Sequence, residues 1–173
     1  MPDALGLERA TVILRPYDGR WAELFRLERT RLQTALGDDV LAVEHIGSTS
    51  VPGLTAKPIL DIGVAVESFE AAFALVPRLE ELGYTFRGEQ GIPRRHYFVR
   101  GSDRNRTHHL HMLEQSNPEW RDLLLFRDCL RTQPETVRAY EALKKQLAER
   151  YPNDRVAYTD GKCEFVRAVL SRA

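Results

Sequence analysis

The chain has 173 residues, 43% of them hydrophobic, and its 25 Lys and Arg balance its 25 Asp and Glu at a formal net charge of zero. That length and apolar content suit one globular domain over 1–173, and the even charge balance argues against nucleic acid or an anionic membrane surface as the partner. No apolar run approaches the roughly 18–20 residues that span a bilayer, and residues 1–10 lack the basic stretch and apolar run of a secretion signal, so a cytoplasmic location is expected.

In chain order, 11–14 reads as a short β segment, followed by Pro16 and an amphipathic helix over 18–36 with Asp18 as its N-cap. Trp21, Leu24, Phe25, Leu27, Leu32 and Leu36 would form its buried face. Strands are expected at 40–46 and 58–66, then a helix over 69–82 that Ser68 caps and Gly83 stops. Three more strands follow at 84–87, 96–100 and 107–113, separated by Gly-rich loops that carry Arg94 and Arg95 in one case and Arg104 and Arg106 in the other. Prolines 118 and 134 sit where first helical turns begin, which gives helices at 118–130, 134–150 and 160–171. Phe126, Leu130, Tyr140, Leu143, Leu147, Phe165, Val166 and Val169 recur at helical spacing and are read as core. Cys129 and Cys163 lie in the same apolar patterns and are read as buried thiols, since the chain has no CxxC pair.

The chemistry concentrates between Glu44 and Val66. Gly47 and Ser48, followed by Thr49 and Ser50, make a small hydroxyl-rich turn that lets a phosphate approach the backbone, and a short helix opening there would aim N–H groups at the anion. Asp61 follows in a β-branched apolar run, where an isolated carboxylate needs a metal or hydrogen-bond partner. A kinase-type P-loop is excluded, because five residues separate Gly47 from Gly53 and Pro58 follows Lys57. His109 and His111 share one strand face with Thr107, whereas His108, Leu110 and Met112 point the other way. With Asp61 the two imidazoles would make a three-ligand site for Mn, Zn or Fe. Glu44 reads as solvated or salt-bridged. Tyr158, Thr159 and Lys162 fall at an expected helix start, where free N–H groups and an ammonium would bind phosphate, and Lys57 would balance charge near the turn.

Ile46-Gly47-Ser48, the twelve residues 49–60 and then Asp61 resemble the nucleotidyltransferase pattern of Gly-Ser followed by strand carboxylates. More closely, 43–54 with Ala56-Lys57-Pro58, His109-Leu110-His111, Phe126-Arg127-Asp128 with Leu130-Arg131, and Tyr158-Thr159 with Gly161-Lys162 resemble the GrpB family over about 13–168. That resemblance implies an α/β fold with a nucleotidyltransferase-like mixed β-sheet flanked by helices and a C-terminal helical segment. It also implies a nucleotide or phosphorylated small molecule as ligand, a divalent metal (Mg or Mn, or Zn where the histidines ligate), and a kinase partner, since some relatives are fused to dephospho-coenzyme A kinase. Active superfamily members hold two cations with carboxylates at alternate strand positions. Here Gly63 replaces the second one, so a binding module without transfer activity is the alternative. Nothing in the chain fixes the oligomeric state.

Overall fold

The computed structural model describes residues 3–173; Met1 and Pro2, part of the stretch read for a secretion signal, lie outside it. The expected strands form β1 (Ala42–Ile46), β2 (Leu60–Val66), β3 (Tyr84–Phe86), β4 (Arg95–Ser102) and β5 (Asn105–Glu114). They make one sheet in the order β1-β2-β5-β4-β3, in which only β2 and β5 run parallel. The mixed sheet anticipated from the family pattern is therefore present. The loop expected over 101–106 is instead a tight hairpin, with Ser102 paired to Asn105 and Gly101 at a φ of 94°. A Cβ there would run into the backbone of Asn105, so glycine is required.

Alternation gives the sheet two different faces. Ile62, Val64, Leu110, Met112 and Phe98 point into the main core, which is covered by α1 (Arg20–Leu36), α2 (Phe69–Ala72) and α3 (Val76–Glu81). Trp21 is fully buried there, and its indole Nε1 donates to the carbonyl of Ala4 at 2.9 Å, which satisfies its one polar atom. The N-cap of α1 is Gly19 and not Asp18 as expected, although Asp18 Oδ1 accepts the Arg20 N–H at 2.9 Å. Leu27, read as part of the buried face, is 49% exposed; the core-facing position one turn on from Leu24 belongs to Glu28. The single helix expected over 69–82 is broken by a 3-10 turn at Phe73–Leu75, because Pro77 has no N–H to give to the carbonyl four residues back. Ser68 caps the first piece, its hydroxyl accepting from Ala71 N at 3.2 Å, and Gly83 follows the second at a φ of 87°.

The opposite face carries Asp61, Gly63, Ala65, His109, His111 and Leu113, and the C-terminal helices cover only part of it. In α4 (Pro118–Thr132), Trp120 packs with Ala65 and Leu113. Leu130 and Tyr140 join Val51 and Leu54 with Phe126 and Phe165 against them, which brings α5 (Pro134–Arg150) and α7 (Cys163–Leu170) to the segment after the Ser48 turn. The helix expected over 160–171 is two helices: α6 (Arg155–Asp160), capped by Asp154, precedes α7. Val166 and Val169 on α7 are only half-buried, and Cys163 is exposed, so only Cys129 is a buried thiol. The β segment expected at 11–14 forms no strand; it runs extended between a Val12 N–H bond to the Pro152 carbonyl and an isolated Arg15–Ala56 bridge. Among the described residues no helix is long and apolar enough to cross a membrane.

Candidate functional site

The serine turn follows β1 directly, and β1 is antiparallel to β2 with Ile46 opposite Asp61. That register sets the turn beside the carboxylate. Gly47 has a φ of 69°, and a Cβ on it would stand 2.6 Å from Asp61 Oδ2. Glycine is needed both for the backbone conformation and for the space its missing side chain leaves over Asp61. Ser48–Ser50 then forms a single 3-10 turn, the short helix expected of this segment.

The hydroxyls of the turn do different things. Thr49 Oγ1 lies 3.0 Å from His45 Nε2 and 3.4 Å from the Ile59 carbonyl, and Ser50 Oγ donates to the Gly47 carbonyl at 2.6 Å. Both residues are buried and hold the turn together, so neither hydroxyl is presented to the cleft. Ser48 Oγ instead accepts from Lys144 Nζ at 3.1 Å, and the same ammonium donates to the Thr55 carbonyl. Arg131 clamps the turn from behind through two bonds to the Ser50 carbonyl, at 3.0 and 2.9 Å. Glu44 is salt-bridged as read, with Arg127 Nη1 at 2.7 Å.

Lys144 is the residue that sequence reasoning missed. It lies on α5 between Tyr140 and Leu147, on the apolar stripe, and is 1% exposed. A lysine at a core-facing helical position was the available signal. Lys57 and Lys162 approach from the other side, both over the Tyr158 ring at 5.1 and 4.7 Å. Burial foremost, with Lys162 next to it, pulls Lys57 down to about 7, and burial with the neighbouring Lys162 charge does the same to Lys144. Tyr158 and Thr159 are not at a helix start: they lie in the last turn of α6, and Tyr158 is a buried ring in a cluster with Val12 and Leu147. Of the three residues expected at a helix start, only Lys162 is at one, as the N-cap of α7, because the chain breaks into α6 and α7 around Gly161.

Asp61, His109 and His111 do converge. Parallel pairing of β2 with β5 puts Asp61 opposite His109 and Gly63 opposite His111. His109 Nδ1 lies 3.1 Å and His111 Nε2 3.7 Å from Asp61 Oδ1. Burial alone would raise the Asp61 carboxyl, but the bonds from His109 and His111 hold it well below the usual carboxylate range. The tautomer of His111 follows from its other neighbour. Arg95 Nη1, which can only donate, is 3.1 Å from His111 Nδ1, so the proton of a neutral ring resides on Nε2 and points at Asp61. Among the described residues no group of three or more His, Cys, Asp or Glu side chains is arranged to hold a metal ion. At Gly63, the site of a second carboxylate in the nucleotidyltransferase pattern, a Cβ would stand 2.9 Å from Trp120 Cζ3.

His45, His96 and Arg94 are held by structural partners. His45 stacks on Phe25 at 4.6 Å and is pushed down to about 4 by burial, and His96 stacks on Phe69 at 4.1 Å. Arg94 pairs with Glu70 and Glu114.

A family model described as GrpB protein matches residues 11–172. The "Glutamate-rich protein GrpB" of Alkalihalophilus pseudofirmus is 37% identical over 171 residues, covering 96% of this chain and 98% of that one. The UPF0157 protein YqkA of Bacillus subtilis is 43% identical over 157 residues, and the match covers 91% of this chain but 46% of that protein. A dephospho-CoA kinase of Mycolicibacterium paratuberculosis is 30% identical over 192 residues, with 96% of this chain aligned to 47% of the kinase. This chain thus spans about half the length of the last two relatives. Among solved structures, GrpB from Enterococcus faecalis superimposes with a TM-score of 0.85 at 38% identity, covering 92% of this chain and 96% of that one. The Cid1 poly(U) polymerase superimposes with a TM-score of 0.54 at 17% identity, over 86% of this chain and 49% of that one, a likeness of fold alone.

Proposed function

The chain belongs to the GrpB family and has a nucleotidyltransferase-like fold, and from that premise we propose that it binds a nucleotide or related phosphate ester at the Ser48 turn. The observation that carries this reading is Lys144, a buried ammonium that donates to Ser48 Oγ at 3.1 Å and makes no ion pair among the described residues. Burying an unpaired cation is costly, and two such lysines poised near pH 7 gain their full charge only when an anion arrives. A phosphate chain between Lys144, Lys57 and Lys162 supplies that anion. Gly47 lets it approach the backbone, and Ser48 offers it a hydroxyl.

Among the described residues Asp61, His109 and His111 are not grouped around a metal-sized space, and with ring nitrogens 3.1 and 3.7 Å from Asp61 Oδ1 the histidines serve in this reading to keep that carboxylate ionised and oriented. Asp61 Oδ2 lies against Gly47, 2.6 Å from where a Cβ would stand. A Mg or Mn ion arriving with the phosphates would be held there by Asp61 and phosphate oxygens, which is how Mg is usually bound, and would supply charge neutralisation for nucleotidyl transfer. A second reading, a module that binds without transferring, is favoured by Trp120, whose ring fills the space that a second carboxylate needs. The similarity to part of a dephospho-CoA kinase supports a kinase as partner for such a module.

Calorimetric titration with ATP plus Mg or Mn, followed by a pyrophosphate-release assay with candidate acceptors, tests both. Binding with release supports transfer, and binding without release supports the module. No binding of ATP or of other phosphate esters would end both readings.

A further inference from the structure

The lysines of the turn are not the only cations in this cleft without a counter-ion. Arg155 opens α6, one turn before Tyr158, and its Nε and Nη2 are both buried with no hydrogen-bond partner among the described residues; Arg106, 6% exposed, leaves its Nε in the same state. Nε and Nη2 are one edge of the guanidinium, the edge that gives two parallel N–H bonds to a carboxylate or phosphate. This chain uses that edge in this way elsewhere. Arg26 holds Glu23 through Nε at 3.0 Å and Nη2 at 2.6 Å, and Arg94 holds Glu114 through both atoms at 3.0 Å. On Arg155 the fork is empty, and a buried charged donor left unpaired keeps its full desolvation penalty.

Asp61 is among the charges around the fork. After burial, which lowers the Arg155 guanidinium, the charges that act on it are Tyr97 and Asp61 in favour and Arg106 and Arg9 against. Tyr97 is on β4 opposite His111, and Arg106 is anchored at the base of the β4–β5 hairpin by Asp103 at 2.8 Å and by the Leu7 backbone. Arg155 shares its electrostatic surroundings with Asp61, Tyr97, Arg106 and Lys57, whereas Lys144 is bonded to the Ser48 turn.

We propose that Arg155 and Arg106 form a second oxyanion site that grips a carboxylate or phosphate on the acceptor, the molecule that lies across Asp61 from the nucleotide. This rests on the nucleotide reading above and adds to it the chemical class of the other substrate: an anion. The Arg155 side chain turns out of its shielded position to meet it.

The test uses the full chain and the Arg155 Nε–H signal in nitrogen-15 NMR, assigned by its loss in Arg155→Lys. Inorganic phosphate and succinate are titrated separately, each with and without saturating ATP. The expected result is a saturable shift with at least one of them that persists under ATP, and the responding arm identifies phosphate or carboxylate. Arg155→Lys should weaken that anion by about tenfold, since an ammonium lacks the fork, and leave ATP affinity within about twofold. Arg106→Lys, which removes only one donor edge, is the second variant should the first fold poorly, and it should weaken the same anion. No shift with either anion, equal anion affinity in both variants, or loss of the shift under ATP would overturn the proposal. A shift in a protein that binds no ATP would overturn the acceptor role and the nucleotide reading together, whereas ATP binding with a silent Arg155 would overturn only the acceptor site.

Discussion

Two buried charge clusters lie on opposite faces of the same sheet, and they differ in whether their charges are matched. On the α1 side, Glu28 is 4% exposed and is fully satisfied: Arg31 and Arg100 each donate to its Oε2 at 2.8 Å, and the Tyr84 hydroxyl donates to Oε1 at 2.9 Å. Burial alone would raise the Glu28 carboxyl, but Arg100 and the Tyr84 hydroxyl outweigh it and hold it below its usual value. On the Asp61 side, Lys57, Lys144 and Arg155 are pulled down by burial; the carboxylate acting on Lys57 and Arg155 is Asp61, which two histidines already hold, and the one acting on Lys144 is Glu141, which makes no ion pair with it. A matched cluster belongs to the fold. An unmatched one needs a ligand to complete it.

The comparison breaks first at Glu28. Glu28→Ala should lower stability by about 2–3 kcal/mol in urea melts, less than a fully buried pair because Arg31 and Arg100 keep contact with solvent, and should leave ATP affinity unchanged at temperatures where the protein is folded. A loss of ATP affinity there would mean the two faces are not independent. At the edge of the cleft, Gly63→Ala should cost about 1–2 kcal/mol by pressing on Trp120, and Trp120→Ala should remove most of that penalty in a double-mutant cycle. Additive losses would show that the tryptophan is not what excludes a side chain at this position.

Lys144→Met should do the reverse of Glu28→Ala. Stability at neutral pH stays within about 1 kcal/mol, since relief from burying a cation offsets the lost bonds to Ser48 and Thr55, while ATP affinity falls about tenfold. The smallest effect is the pH profile. Lys57 and Lys144 fall to about 7 in the folded chain against 10.5 in the open one, so between pH 7 and 10.5 the unfolded chain binds more protons, and their contribution to stability rises with pH across that window. A bound phosphate reverses the shift. ATP affinity should therefore fall about fivefold from pH 7 to 8 for each titrating lysine, with proton uptake seen as a buffer-dependent heat. A pH-independent affinity would remove these lysines from the site.

Much of this protein was legible before any coordinates. Period-2 alternation marked the central strands, and proline at 118 and 134 marked two helix starts, because both signals are local consequences of backbone geometry. The turn at Gly47 and the face shared by Asp61, His109 and His111 follow from the same alternation once β2 and β5 are neighbours. Where local signals competed, the reading failed. Pro77 cut one expected helix into two around a 3-10 turn, and the last became α6 and α7, which moved Tyr158 from a helix start into the core.

What the sequence determined by itself was the family, the strand pattern and the presence of a glycine-serine turn followed by a lone aspartate, since each is written in contiguous residues. Only the tertiary structure decided which hydroxyl meets Lys144, that Trp120 occupies the space beside Gly63, and that among the described residues neither Lys144 nor Arg155 makes an ion pair. Those facts depend on contacts between residues far apart in the chain. Burial and pairing belong to such contacts and to no single segment, and burial and pairing are what separate a structural charge from one that awaits a ligand.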